Sequence, residues 1–301
     1  MKKIMLSCLF IFIILFSLFY PTDAISASKN AMLIWSGQIL PTLLPFSILS
    51  AVLLQSNLFS SNLKHQNLFA IGIVMICGFT FGFPIGSKLA SDFYEKQILT
   101  KKQAHILAIT ANNFSPMYVC GFVLPLVFPN KDFKTLTYIL LYLFPLAVGA
   151  ILLIFSASKQ TSYCDYHSNH KNTASRFQLD MQIIDAGIVS SFETLIKLCG
   201  YIVMFSLLST IFQALFQEPH MITQLFIGNM EITNGIALFC NYTIDMNLKY
   251  ICTIQMLSLG GLSGFAQTAS ILHRSGLSIK IYVFGKCILS LVATLLAILI
   301  L

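Results

Sequence analysis

"GFPIGSKLASDFYEKQ", residues 82–97, begins in an apolar run and ends in a charged one. Two glycines, a proline, a lysine and an aspartate stand where an apolar segment would meet lipid, so the path of the backbone here decides the fold. The rest of the chain has the composition of a membrane protein. Of 301 residues 56% are hydrophobic and only 10% charged, and the mean hydropathy is +0.81, well outside the range of soluble domains. Mostly apolar runs occur at 4–20, 31–54, 68–93, 104–128, 136–156, 186–215, 224–240, 250–272 and 281–301. As helices, runs of about twenty residues cross roughly 30 Å of hydrocarbon. No stretch between them is long enough for a separate soluble domain.

The lysines arrange these segments. If each one crossed in turn from a cytoplasmic N-terminus, Lys96, Lys101 and Lys102 would lie outside, against the positive-inside rule. A re-entrant 68–93, entering and leaving on the cytoplasmic side, keeps them inside. "GFTFGFPIGS", 78–87, suits such a reversal. Pro84 removes a backbone donor, and glycines such as Gly82 permit the turn. Onward, 104–128 goes out and 136–156 returns, which places linker 157–185, with Lys159, Lys171 and Arg176, inside. Segment 186–215 then leads out to "QEPH", 217–220, which has no lysine or arginine. A second re-entrant element at 224–240 lets 250–272 return to the cytoplasm at Arg274 and Lys280.

The expected architecture is an all-α polytopic membrane protein of the cell membrane, N-terminus cytoplasmic. It has an N-terminal hydrophobic segment (1–30), a first membrane repeat (31–156), a cytoplasmic linker (157–185) and a second repeat (186–301). Each repeat holds three spans and one re-entrant broken helix, and the two enter the bilayer in opposite senses. Such inverted repeats are a known plan of secondary transporters. Lys2, Lys3 and the apolar run after them, with small residues at Ala24–Ala27, have the form of a signal peptide. A retained first span is the favoured reading.

Several function classes are excluded or disfavoured. The net charge of +7 comes from scattered single lysines, without the basic and aromatic patch of a nucleic-acid binder. GxSxG, HExxH and P-loop patterns are absent, so no enzyme is expected. Most cysteines lie singly in apolar segments and read as small core residues. Cys164, Asp165, His167 and His170 in "YCDYHSNH" have the types of metal ligands, but their hydrophilic context reads as a solvated linker. Neither metal nor cofactor is expected.

In "GNMEITNG", 228–235, Glu231 is ionisable within an apolar run and needs a partner, a proton or a cation. Thr233 and Asn234 supply polar groups beside it, and Gly228 and Gly235 bracket the expected break. Lys88 and Asp92, four apart, share a helical face and are placed to pair; Glu193 and Lys197 repeat the spacing and read as structural. In "ITANNFSPMYVCGF", 109–122, Asn112, Asn113 and Ser115 offer donors and acceptors beside Pro116. In "LSLGGLSGFAQTASIL", 257–272, Gly260, Gly261 and Gly264 allow close packing and Gln267 adds an amide. Candidate solute contacts are Gly86, Lys88, Asn112, Asn113, Ser115, Glu231, Thr233, Asn234 and Gln267. The expected hinges are Gly82, Pro84, Gly228, Gly235, Gly260 and Gly261.

The stretch 82–123, "GFPIGSKLASDFYEKQILTKKQAHILAITANNFSPMYVCGFV", resembles the core of the YlbJ-type sporulation integral membrane proteins. "EITNG" and "GGLSGFAQTASIL" resemble that group's second-half motifs, and "IWSGQILPTLLPFSILS", 34–50, its first-half opening. The resemblance implies a place among the nucleoside-recognition, or Gate, membrane domains; it names no substrate. The expected function is secondary transport of a small polar or anionic solute, with Glu231 carrying a coupling proton or cation. The alternative is a non-transporting membrane scaffold for envelope or sporulation-like assembly. Expected partners are the solute, the coupling ion and the lipid bilayer, with a homo-oligomer as an option and no nucleic acid.

Overall fold

The computed structural model describes residues 2–56, 63–157, 180–216 and 220–301, and every regular element among them is helical. The Cys164 cluster and most of the linker lie outside the described residues, as do Gln217–Pro219 of "QEPH". Among the described residues, four helices are long and apolar enough to cross a membrane: Pro21–Val52, Lys134–Ser156, Met181–Leu215 and Ile279–Ile300. The protein is an all-α polytopic membrane protein.

After α1 (Lys2–Phe19), α2 (Pro21–Ile34) runs through a π-helical turn at Trp35–Ile39 into α3 (Leu40–Gln55). Pro21 stands at the start of α2, where its missing N–H costs nothing. Ala24, Ala27 and Ala31 form a buried small-residue stripe on α2, which packs against α11 (Met181–Leu215). Helix α2 therefore continues through residue 30, where the sequence reading put a boundary, and α11 likewise begins before 186. π turns also occupy Val119–Val123 and Ile139–Leu143. Each of the three ends two residues before a proline, Pro41, Pro125 or Pro145. A widened turn accommodates the lost N–H and the ring that would clash with a regular helix.

The segment expected to be re-entrant forms a helical hairpin, α4 (Leu63–Phe81) and α5 (Ile85–Glu95), interrupted at residues 82–84. Asn67, near the start of α4, donates to the Ile98 carbonyl at 2.8 Å and exchanges hydrogen bonds with Gln103. Both ends of the hairpin thus lie together. A capping box between Thr100 and Gln103 starts α6 (Lys101–Thr110), which stops at Ala111. After four residues without helical structure, Ser115 caps α7 (Pro116–Tyr118), which continues through its π turn into α8 (Leu124–Val127). Where the sequence suggested one span at 104–128, there are two half-helices. α9 (Lys134–Tyr138) and α10 (Phe144–Ala157) complete the first half.

The second half repeats this order. After α11, α12 (Met221–Gly228) reverses into α13 (Ile232–Cys240), with Gly228 and Gly235 packed backbone to backbone. α14 (Met246–Leu259) and α15 (Gly261–Arg274) meet at a left-handed Gly260, and α16 (Ile279–Ile300) ends the chain. One apolar core joins the halves, with Leu89, Phe93 and Leu107 packed among the same cluster as Ile236, Phe239 and Ile254. Half-helices also pair across them. α5 lies on α15, with Ser91 Oγ donating to Ser275 Oγ at 2.6 Å, and α13 lies on α8, with Cys240 Sγ donating to the Leu126 carbonyl at 3.0 Å.

Candidate functional site

Four interruptions, at 82–84, 111–115, 229–231 and Gly260, converge on one cavity of about 60 Å³. That exceeds the ~10–15 Å³ one water requires. From the first half it is lined by Phe83, Phe114, Ser115 and Tyr118; from the second by Glu231, Ile232, Thr233, Gly260, Ser263 and Gln267. Leu43 of α3 and Leu198 of α11 help to close it. The lining comes from the turns that open α5, α7, α13 and α15, so the partly positive helix ends face the space.

Glu231 is only 4% exposed and is the N-cap of α13. Its Oε2 accepts from the Asn234 backbone N–H at 2.8 Å and its Oε1 from the Thr233 hydroxyl at 2.5 Å. The carboxylate therefore meets its hydrogen-bonding needs within its own turn, at a helix end that favours negative charge. Two other lining groups are not met. Among the described residues, Tyr118 Oη and Gln267 Oε1 are the buried side-chain polar atoms with no hydrogen-bond partner. Tyr118 is 7% and Gln267 6% exposed. Burying such groups unpaired is costly, and a native structure holds few of them.

A larger cleft of about 1020 Å³ adjoins the cavity, bounded by α5, α11 and α15. Lys88, Asp92, Glu95, Lys197, His273 and Arg274 place charges in an otherwise largely apolar lining, and Gln267 and Leu198 belong to both spaces. Phe83 packs against Gly264 at the same partition.

Of the nine expected solute contacts, Ser115, Glu231, Thr233 and Gln267 line the cavity. The other five lie elsewhere. Lys88 is in the cleft and donates to Thr194 Oγ1 at 3.4 Å rather than pairing with Asp92. Glu193 and Lys197 do pair, at 2.6 Å on an exposed face. Gly86 sits against the Ala111 carbonyl, with no room for a side chain. Asn112 donates to Tyr282 Oη at 3.0 Å and Thr268 Oγ1 at 3.3 Å. Asn113 donates to the Thr110 carbonyl at 2.7 Å and accepts from Lys286 Nζ at 2.8 Å. Asn234 turns its side chain to Ser206 Oγ at 2.5 Å. Among the expected hinges, Gly82, Pro84, Gly260 and Gly261 stand at interruptions and Gly228 ends α12, whereas Gly235 lies inside α13. Sequence reasoning missed Phe83, Tyr118 and Ser263 in the lining, and Lys286 behind it.

No family model matches the chain, and no solved structure does. Among characterised proteins, it is 25% identical over an aligned length of 326 residues to the sporulation integral membrane protein YlbJ of Bacillus subtilis (strain 168). The match covers 95% of this chain and 79% of that protein. The chain is similar to this integral membrane protein over nearly its whole length. The stretches that carry the YlbJ-type resemblance supply three of the four interruptions in full: 82–123 holds the first two and "GGLSGFAQTASIL" the fourth. "EITNG" begins at Glu231, where the third ends. Six described cysteines, Cys77, Cys120, Cys199, Cys240, Cys252 and Cys287, carry free thiols, and no cluster of metal-ligating side chains occurs among the described residues.

Proposed function

We propose that this protein is a secondary transporter, not an enzyme, that moves a small polar solute, neutral or anionic, through the cavity by alternating access. The observation that carries this reading is the pair of buried, unpartnered atoms in one cavity, Tyr118 Oη and Gln267 Oε1. A solute that accepts from the tyrosine hydroxyl and donates to the glutamine oxygen satisfies both at once. The helix ends around it favour an acceptor-rich or negative group.

The charged cleft supplies the approach from one side. It opens where α5 and α15 end, at Glu95, His273 and Arg274, and Lys96 and Lys280 lie close by in sequence, so the positive-inside rule favours that side as cytoplasmic. Gln267, Leu198 and the Phe83–Gly264 contact then form the inner gate. Glu231 is the coupling group, binding a proton or cation as access alternates. The Gate-domain resemblance and the converging broken helices both support transport, and nucleic acid has no place in this reading.

Thermal unfolding of the purified full chain in detergent, against a panel of nucleosides, nucleobases, dicarboxylates, amino acids and divalent metals, tests it. A bound solute raises the unfolding temperature by mass action. Tyr118→Phe is expected to leave basal stability unchanged or slightly higher, since it deletes an unpaired hydroxyl, while abolishing the response to the hit. Glu231→Gln is expected to insert normally yet lose gradient-driven transport of that compound in proteoliposomes. A panel without any response, or an undiminished response in Tyr118→Phe, overturns the site and favours a scaffold.

A further inference from the structure

Lys286 lies about two turns into α16, roughly 10 Å along its axis, and is 1% exposed. Its Nζ donates to Asn113 Oδ1 at 2.8 Å, a neutral acceptor. The helices packed most closely on α16 are α14, α6 and α15, with the π turn between α9 and α10. None of these, nor α16 itself, contains an aspartate or glutamate. A lysine with no carboxylate on any surrounding helix is a costly residue to keep within a membrane, and such residues mark functional positions.

The titratable groups on those helices are otherwise engaged or distant. His105 accepts from the Ser278 N–H, Tyr250 pairs with Thr137, Tyr142 donates to the Phe114 carbonyl and Tyr282 meets Asn112. Lys249 donates to the Cys240 carbonyl, and Cys252 is a free buried thiol. His273 and Arg274 face the cleft. Lys101, Lys102, Lys134 and Lys280 stand at helix starts, Tyr138 is exposed at the end of α9, and Cys287 is an exposed thiol.

We infer that Lys286 is a proton-binding site that fixes the shape of the 111–115 break. Asn113 is the link. Its amide donates to Thr110, at the carbonyl end of α6, where positive charge is favoured, and its oxygen receives Lys286. With the proton on Nζ, the bond to Asn113 is charge-assisted and roughly twice as strong as its neutral counterpart. When the proton leaves to water, the amine holds Asn113 weakly and the non-helical backbone of residues 112–115 loosens at Asn113, while the bonds of Asn112, Phe114 and Ser115 remain. The neighbouring Phe114 and Ser115 line the cavity, so the proton on Lys286 sets the cavity wall. This site is separate from Glu231 and operates whether or not the cavity takes a solute.

Hydrogen exchange of the full chain in detergent, read by mass spectrometry without added solute, tests it in wild type, Lys286→Arg and Lys286→Met. After correction for intrinsic rates, wild-type exchange in peptides covering 111–118 is expected to rise several-fold from acidic to alkaline pH. Lys286→Arg, always charged, stays at the acidic level, and Lys286→Met is fast at both. Peptides spanning Gly260 serve as the internal control and stay constant. A flat wild-type profile, or a wild-type-like rise in either variant, overturns the inference. If Lys286→Met does not fold, the comparison of Lys286→Arg with wild type still decides it. Because no solute is involved, failure here is distinct from failure of the transport reading.

Discussion

The two interrupted helices meet the same physical demand by different means. A helix broken inside a membrane exposes carbonyls at one end and N–H groups at the other, and no water is at hand to satisfy them. At residues 111–115 the chain leaves helical structure for five residues, and side chains hold it. Asn112 reaches Tyr282 and Thr268, Asn113 meets Lys286, Tyr142 donates to the Phe114 carbonyl, and the Ser115 hydroxyl accepts from the Tyr118 N–H. At Gly260 the helix turns on two consecutive left-handed glycines, Gly260 with φ 84° and Gly261 with φ 67°, and α15 restarts at once. There backbone serves backbone: the N–H groups of Leu262 and Ser263 donate to the Asn229 and Met230 carbonyls at the tip of the second hairpin, at 2.7 and 3.0 Å. The first break therefore depends on residue identity and the second mainly on chain path.

Substitutions that attack the first break are expected to do the most harm. Gly82 has φ 79°, and a side chain there would overlap the backbone of Ser115. Gly82→Ala thus combines left-handed strain with overpacking against the break, for about 3 kcal/mol of destabilisation. A large fall in the unfolding temperature in detergent is the expected reading; a near-neutral variant would show that hairpin tip and break are not rigidly joined. Asn112→Ala comes next. It removes donors to two buried hydroxyls and the acceptor that faces the Ser87 N–H at 3.4 Å, at a cost of about 2 kcal/mol. Asn229→Ala, at the partner hairpin, keeps the carbonyl that caps α15 and is expected to cost less. Equal losses for the two asparagines would erase the contrast between side-chain and backbone support.

This contrast also explains what could be read from sequence. Glycine, proline and asparagine inside apolar runs stand at or beside every interruption, because a buried break needs either polar side chains or freedom from a Cβ, but only the two hairpins were expected, while 104–128 and 250–272 read as single spans. Their partners were hidden. Asn113 read as a solute contact because its amide offers both donors and an acceptor, yet those are taken by the Thr110 carbonyl three residues back and by Lys286, 173 residues away. Lys286 itself carried a signal, a lone charge in the apolar run 281–301, and charge in such a run points to function. Tyr118 carried none, as a tyrosine in an apolar helix is ordinary core; only the fold shows that its hydroxyl lacks a partner. Lys88 and Asp92 were rightly placed on one face, but the helix turns that face to the cleft and not to the cavity.

The smallest effect is expected at Gly260, and it bears directly on the second break. Its φ of 84° is unfavourable for any side chain, but a Cβ there would meet nothing within 4 Å. Strain alone remains, about 1 kcal/mol for Gly260→Ala, and the bonds from Leu262 and Ser263 to the hairpin tip survive because they involve only backbone. Gly260 also lines the cavity, so the added methyl takes up solute space without disturbing the walls. A modest fall in unfolding temperature, together with a weakened response to a bound compound, is the expected pair of readings. If stability fell as far as in Gly82→Ala, the second break would depend on residue identity as strongly as the first. If the response to the compound were unchanged, the solute would sit toward Tyr118 and Glu231, away from the α14–α15 junction.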